Sequence, residues 1–480
     1  MTLTIISVLY ILLVFALFYL IRRKFRIALL AIASLVYVCL LDVYAGIAVI
    51  AVAMFTWLMG LVIEYAKSRD VNKIVRIATA VGIIILAGFL LFMKSYSRFP
   101  FMQNEESLFH RFILPIGFSF YVFQAISYIA DIYRETIPVE RNVFRMLFYL
   151  IWFPKFVSGP IERKADMDEQ LENIQDLLFF DAARWSRVIQ YVLIGAFYKI
   201  VIADRLGIYV DKIYGAYESM NSLTLFLGMI MYSFQIYCDF AGYSYAAIGF
   251  SLIFGIRLTE NFKLPYMSQN ITEFWRRWHC SLSSWLRDYI YIPLGGSRHG
   301  QVRKIINTMI VFLVCGIWHG ESMSFMAWGL LHGVYSAVDG LELFRSGAAR
   351  RLREGWIGRI LTFMCVSVAW IFFRASSFTG ACRYILTMLT AGVSRETLMS
   401  DHMSLFPNHV TDIYVMVITL AVLLLIEYIA YRSERNVPAL LIGRPYYVQY
   451  TAAFLMIMGI LILGIYGPAH DTARMIYMQF

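Results

Sequence analysis

Charge is what this chain has least of. Asp, Glu, Lys and Arg make up 15% of its 480 residues, well below the roughly 25% of an ordinary soluble domain. Hydrophobic residues reach 60% and the mean hydropathy is +0.65, more apolar surface than a soluble fold hides. Cysteine is equally uninformative: Cys39, Cys238, Cys280, Cys315, Cys365 and Cys382 show no C-x-x-C spacing. Neither a thiolate metal site nor a disulfide framework is indicated, and most of the six read as small hydrophobes in apolar stretches. The chain has no phosphate-binding G-x-x-x-x-G-K-[ST] loop, no G-x-G-x-x-G fingerprint and no H-E-x-x-H. ATP hydrolysis, hydride transfer and zinc hydrolysis thus have no support. No tandem or inverted repeat is visible, which counts against a transporter built from repeats.

What is present is a series of apolar runs of the length needed to cross about 30 Å of hydrocarbon. They fall at about 3–21, 27–41, 45–63, 77–93, 112–130, 186–203, 222–238, 241–255, 323–341, 357–374, 412–431 and 449–467, with shorter pieces at 144–158 and 305–318 that suit tilted or re-entrant segments. The expected fold is all-α: a polytopic membrane protein of about 11–14 transmembrane or re-entrant helices. No soluble block interrupts them, so 1–480 reads as one domain, with a core at about 113–341 flanked by spans in 1–95 and 357–480. The first run lacks the basic start and small-residue cleavage site of a signal peptide and reads as a retained helix.

Basic residues give an orientation, since Lys- and Arg-rich loops stay cytoplasmic. Arg22, Arg23, Lys24 and Arg26 follow the first run, Lys67, Arg69, Lys73 and Arg76 the third, and Arg134, Arg141 and Arg145 the fifth, whereas the intervening loops hold only Lys94, Arg98 and Arg111. The N-terminus is therefore expected outside. The formal charge of +10 is a topology signal and does not call for nucleic acid.

Hydropathy drops between about 256 and 304, and there the chain carries Asn270-Ile-Thr-Glu273-Phe-Trp275-Arg-Arg-Trp278-His279-Cys-Ser-Leu-Ser-Ser-Trp285-Leu-Arg-Asp288-Tyr289. Asn270 with Glu273 three positions on resembles a capped helix start. Phe274, Trp275, Trp278, Leu282, Trp285, Leu286 and Tyr289 share one arc of about 120° at 100° per residue, and Arg276, Arg277, Ser283, Ser284 and Arg287 fall outside it. A single amphipathic helix at the membrane surface is expected over this stretch, with His279 at the edge of its aromatic arc near the polar boundary. Taken alone, this is either an interfacial helix with a polar-edge histidine or part of a site. Ile292-Pro-Leu-Gly295-Gly296 ends it, and Ser297-Arg-His299-Gly-Gln-Val-Arg303-Lys304 follows, a basic loop that fits either plain cytoplasmic exposure or an anion contact.

A second Trp-His pair closes the next apolar segment: Val311-Phe-Leu-Val-Cys-Gly316-Ile-Trp318-His319-Gly320. Ionisable groups at membrane depth are costly and are functional candidates by default, although one histidine in such a place also serves as a hydrogen-bonded structural residue. His332, one turn after Trp328 in Gly329-Leu-Leu-His332-Gly333, reads as helix packing with a polar contact.

Together these segments form a pattern. Asn261-Phe-Lys-Leu-Pro265-Tyr266, the run Phe274 to Gly296, and Trp318-His319-Gly320 closely resemble the membrane-bound O-acyltransferase family, nearest its bacterial branch that includes the alginate O-acetylation membrane subunit. Leu114-Pro-Ile-Gly-Phe-Ser-Phe120, Gln124-Ala-Ile-Ser-Tyr128, Phe153-Pro-Lys155, Gly159-Pro-Ile161, Lys199-Ile-Val-Ile-Ala-Asp204, Tyr237-Cys-Asp239-Phe-Ala-Gly-Tyr-Ser244, Phe372-Phe-Arg374-Ala375 and Ile476-Tyr-Met-Gln-Phe480 extend the likeness over most of the chain. Two departures, Tyr245 and Ser376 where that branch often has Asp, bear on substrate detail. The resemblance implies an acyltransferase with interfacial helices around a central tunnel, His319 as the main catalytic residue and His279 assisting. It also implies tunnel or substrate support from Trp275, Trp278, Asn261, Asp288 and Trp318.

That chemistry is consistent with the residues. Acyl transfer from a thioester to a hydroxyl needs a base, a stabilised carbonyl oxyanion and exclusion of water. A histidine in an apolar tunnel stays neutral with its lone pair free. Direct transfer through His319 is expected, with an acyl-histidine intermediate as the other route. No bound cofactor or metal is expected; the donor is acetyl-CoA or another acyl thioester used as substrate. The resemblance further implies a bacterial cytoplasmic membrane location, with an exported SGNH-hydrolase-type partner to complete transfer to an envelope polysaccharide. D-alanyl transfer from an acyl-carrier protein to teichoic acid, and a non-enzymatic transporter or channel, are the alternatives.

Overall fold

The computed structural model describes residues 2–95, 117–341, 355–406 and 410–466. Among them there are helices and turns and no strand, as a chain in hydrocarbon requires when every backbone amide must be satisfied within its own segment. Nine of the described stretches are long and apolar enough to cross a membrane: 23–41, 43–68, 72–94, 182–215, 222–253, 300–319, 356–374, 411–432 and 446–463. Arg98, Arg111, Leu114 to Ile116 and the terminal Ile476 to Phe480 lie outside the described residues.

The chain divides into two compact units, Met1–Val188 with Ala247–Glu260, and Ile189–Ala246 with Asn261–Phe480. The first contains α1 (Thr2–Leu20), α2 (Arg26–Leu41), α3 (Val43–Ser68), α4 (Asn72–Lys94), α5 (Phe118–Tyr133), α6 (Val143–Ile151) and α7 (Lys164–Asn173). The run at 144–158 does not cross by itself. Its α6 has 9 residues, and the chain then turns through a 3-10 segment, Phe153–Lys155, with Pro154 near its start. That turn buries the Lys155 side chain, whose Nζ donates to Gln124 Oε1 at 2.7 Å and to the Tyr149 carbonyl at 2.9 Å. Two of the motif segments, around Gln124 and Lys155, are thus joined by one buried lysine whose polar head is hydrogen-bonded.

The second unit takes most of α8 (Ala182–Ala196), a π-helical stretch Phe197–Ala203, α9 (Asp204–Gly215) and α10 (Ser222–Ile253) as far as Ala246. The runs 222–238 and 241–255, expected as two spans, form one 32-residue helix, α10. The reason is electrostatic: Asp239, the break between the runs, is paired with Lys199 at 2.6 Å, and Lys199 also meets Asp204 at 2.8 Å. A paired carboxylate is tolerated inside a membrane helix where a lone one is not.

Then follow α11 (Ile271–Arg277), α12 (Cys280–Leu286), α13 (Gly300–His319), α14 (Met323–Asp339), α15 (Trp356–Arg374), α16 (Phe378–Thr390), α17 (Arg395–Leu405), α18 (Val410–Arg432) and α19 (Tyr446–Leu463). The ambiguous piece at 305–318 belongs to α13, a full 20-residue span. α14, expected as a span over 323–341, has 17 residues. α18 and α19 leave most of their apolar side chains exposed, from Tyr414 and Val417 to Leu461 and Ile462, which is the composition of a lipid-facing surface.

α13 and α14 form an antiparallel hairpin whose closeness is set by glycine. A Cβ on Gly316 would stand 2.5 Å from the Phe325 carbonyl oxygen, and one on Gly329 would collide with the Phe312 carbonyl. Small residues at helix contacts let backbones approach this way in membranes. Gly329→Val is therefore expected to lower stability by about 1–3 kcal/mol through overpacking and to displace His319 at the end of α13. Thermal unfolding of the detergent-solubilised protein, followed alongside acyl transfer, checks both effects; unchanged melting would contradict the packing argument.

Candidate active site

The single amphipathic helix expected from Asn270 to Tyr289 is two helices and a π-helical turn. Its start is as expected: Asn270 Oδ1 accepts from Glu273 N at 2.8 Å, while the Glu273 carboxylate accepts from Gln269 N at 2.8 Å. The two-faced pattern survives, since Phe274, Trp275, Trp278, Leu282, Trp285 and Leu286 are buried and Arg276 and Arg287 are exposed. But α11 stops at Arg277. Trp278 is extended (φ −100°, ψ 128°) and His279 is left-handed (φ 43°, ψ 55°) before α12 begins. For a non-glycine residue that conformation costs about 1–2 kcal/mol, so something must hold it.

Asn261 does. Its carbonyl accepts from Cys280 N at 3.0 Å and its side-chain oxygen accepts from Ser281 N at 3.2 Å. Its amide donates to Ser244 Oγ at 3.4 Å, and the following segment is tied back by Lys263 N donating to the Arg277 carbonyl at 2.9 Å. The break turns His279 inward. Expected to face the protein side near the polar boundary, it is 1% exposed, with its ring 4.7 Å from Phe240 and 6.3 Å from Trp318. Burial pushes its pKa down to about 3, which keeps the imidazole neutral at physiological pH.

His319 ends α13 and is also buried. Trp318 at 4.7 Å, Trp328 at 5.0 Å, Phe373 at 5.1 Å and Phe325 at 6.4 Å surround its ring. Gly320 beyond it is extended, and a Cβ there would stand 2.6 Å from the Phe325 ring. Trp318 is the shared neighbour of both imidazoles, so the two Trp-His motifs converge on one aromatic chamber. Trp275 and Trp278 form its wall: Trp275 packs on Phe312 and Trp328, and Trp278 lies 5.0 Å from Trp370.

Asp288, expected as tunnel or substrate support, is joined to Arg287 at 2.8 Å on the part-exposed π-helical turn Arg287–Tyr291. Several chamber residues carry no mark of their own in the sequence: Phe240, Phe325, Trp328, Trp370 and Phe373. Their one signal is position inside or beside motif segments, because an aromatic in an apolar run looks like any core residue. No cluster of His, Cys, Asp and Glu suited to a metal occurs among the described residues. What the arrangement offers is two buried imidazoles packed among aromatic rings, surroundings in which a proton can move away from solvent.

A polytopic helical membrane protein with two convergent buried histidines is the class this site defines. The sequence profile of the membrane-bound O-acyltransferase family matches residues 135–378, a span that holds Asn261, His279, His319 and every chamber wall residue named above. The chain belongs to that family and is a multi-pass membrane O-acyltransferase. It is 34% identical over 393 residues to the probable alginate O-acetylase AlgI of Pseudomonas putida, covering 78% of this chain and 77% of that protein. It is 30% identical over 390 residues to the peptidoglycan O-acetyltransferase of Helicobacter pylori, covering 76% and 73%. With the teichoic acid D-alanyltransferase of Bacillus subtilis it shares 30% identity over 302 residues, covering 60% and 74%.

Proposed function

We propose that this chain takes an acetyl group from a cytoplasmic thioester, acetyl-CoA being the simplest, and passes it across a bacterial cytoplasmic membrane toward hydroxyls of an extracytoplasmic polysaccharide. The observation that carries the reading is the convergence of His279 and His319 on Trp318 inside the family's matched region. Two O-acetylating relatives that each align with more than three quarters of the chain support acetyl as the cargo. The D-alanyltransferase relative aligns with 60%, and carrier-bound D-alanine is the weaker reading.

In this reaction a ring nitrogen of His319 takes the acceptor hydroxyl's proton as its oxygen attacks the thioester carbonyl carbon. The C–S bond then breaks, and the departing thiolate recovers the proton from the imidazolium, leaving an ester and a thiol. His279, neutral because buried, donates its N–H to the carbonyl oxygen as negative charge develops there. The aromatic walls exclude water that would hydrolyse the donor. An exported SGNH-type protein fits as the partner that receives the acetyl group, and the basic loops fit an N-terminus outside.

Full-length protein in lipid nanodiscs, given acetyl-CoA labelled in the acetyl group, is expected to move label to a polysaccharide or to such a partner. Transfer from a D-alanyl carrier protein, with none from acetyl-CoA, would overturn the assignment.

A further inference from the structure

Arg359 stands in the first turn of α15 and is 8% exposed. Its Nε donates to the Met267 carbonyl at 3.2 Å and its Nη2 to the Tyr431 hydroxyl of α18 at 2.5 Å, while the guanidinium lies 5.1 Å from the ring centres of both Trp356 and Tyr431. Every one of these partners is neutral. No carboxylate pairs with Arg359 among the described residues, although a cation withdrawn from water ordinarily rests against an anion.

The same place has hydrogen-bond donors to spare. A guanidinium carries five N–H groups, and Arg359 spends two of them inside the protein. The Tyr431 hydroxyl accepts from Arg359 and keeps its own proton to give. Trp356, 58% exposed, adds an indole N–H that only donates. Unspent donors around one positive charge select an anion with several oxygens, and a phosphate diester has that form.

The surroundings say which phosphate. Trp356 and Tyr428 are both exposed, with their rings 6.2 Å apart, a pairing of the kind found where a membrane meets water. One turn further into the two spans, Ile360 and Leu424 are exposed as well, so an apolar strip continues from the charged end along α15 and α18. The flanking sequence is basic: Arg345, Arg350, Arg351 and Arg353 precede α15, and Arg432, Arg435 and Arg444 close α18 and follow it. On the positive-inside reading this is the cytoplasmic face. A soluble phosphate would use the charge alone, whereas a phospholipid uses the charge and the strip.

We propose that Arg359, Tyr431 and Trp356 form a binding site for an anionic phospholipid of the cytoplasmic leaflet, its phosphate on the guanidinium and an acyl chain along Ile360 and Leu424. The site also touches the segment that shapes the active site. Arg359 holds the carbonyl of Met267, the last residue of the 3-10 turn Pro265–Met267 between Asn261 and α11, so a bound lipid steadies the anchor of the stretch leading to His279.

The test is native mass spectrometry of the full-length protein in detergent micelles, titrated with phosphatidylglycerol or phosphatidylcholine. The wild type is expected to hold phosphatidylglycerol more tightly, and Arg359→Gln to weaken that lipid about fivefold, the effect of one basic residue at an anionic membrane surface. Inorganic phosphate is expected to leave the bound lipid in place. Equal retention of the two lipids by the wild type, unchanged phosphatidylglycerol affinity in Arg359→Gln, or displacement of the lipid by inorganic phosphate would overturn the site. Where Arg359→Gln fails to fold, the double variant Arg432→Gln/Arg435→Gln decides. Both of those residues are exposed, and their loss is expected to weaken phosphatidylglycerol while sparing phosphatidylcholine; affinities equal to those of the wild type would overturn the site.

Discussion

Replacing His319 with alanine abolishes measurable acyl transfer, a fall of about 10²–10⁴-fold if His319 is the general base, while the protein still folds and reaches the membrane. The expectation follows from placement. His319 is a short distance from four aromatic rings and sits at the C-terminal end of the α13 span. No other imidazole is held by α13 in the same chamber, so a water or a neighbouring group is a poor substitute. The measurement is O-acetyl content of envelope glycan in cells carrying wild type or His319→Ala, with membrane levels of the two proteins compared. Full acetylation by the variant would remove His319 from the mechanism. His319→Gln separates basicity from hydrogen bonding, because it keeps a polar side chain of similar length without a titratable nitrogen. A second distinction comes from kinetics: an acyl-histidine predicts a labelled enzyme after incubation with donor alone, whereas direct transfer predicts none.

Much of this site is legible in the order of the amino acids. Two Trp-His pairs stand out because ionisable groups are rare in a chain with 15% charged residues, and the Asn270 cap is a local signal that the fold honours. What sequence periodicity misses is decided by partners elsewhere in the chain. The wheel over 270–289 stays regular through Trp278 and His279, yet the helix breaks there because the 261–263 segment supplies acceptors and a donor that no helical window contains. The opposite error occurs at Asp239, where a charge that looks like a loop is neutralised by Lys199, 40 residues earlier, and α10 runs straight through. The glycine contacts of α13 with α14 are similarly silent, since Gly329 and Gly333 signal small volume without naming the carbonyl and methionine they meet.

Asn261→Ala is the variant expected to match a direct hit on the chemistry without touching it. His279 keeps its left-handed backbone only while the amides that follow it are satisfied, and Asn261 serves two of them in succession, Cys280 N through its carbonyl and Ser281 N through its side chain. Alanine retains the first bond and deletes the second together with the link to Ser244. A buried amide left without its acceptor costs about 1–3 kcal/mol, comparable to the strain at His279, so the turn relaxes toward ordinary helical dihedrals and swings the imidazole off Phe240. A displacement of about 1 Å in a catalytic group can lower turnover about 100-fold. The expected result is a kcat reduced by that order with the donor KM little changed, because the Asn261 side chain bonds Ser281 N and Ser244 Oγ within the protein. Asn261→Asp keeps an oxygen for Ser281 N and is expected to recover much of the loss. Rescue by aspartate with a restored kcat marks Asn261 as the residue that positions His279; equal losses in both variants, or normal turnover in the alanine form, would show that the turn holds itself.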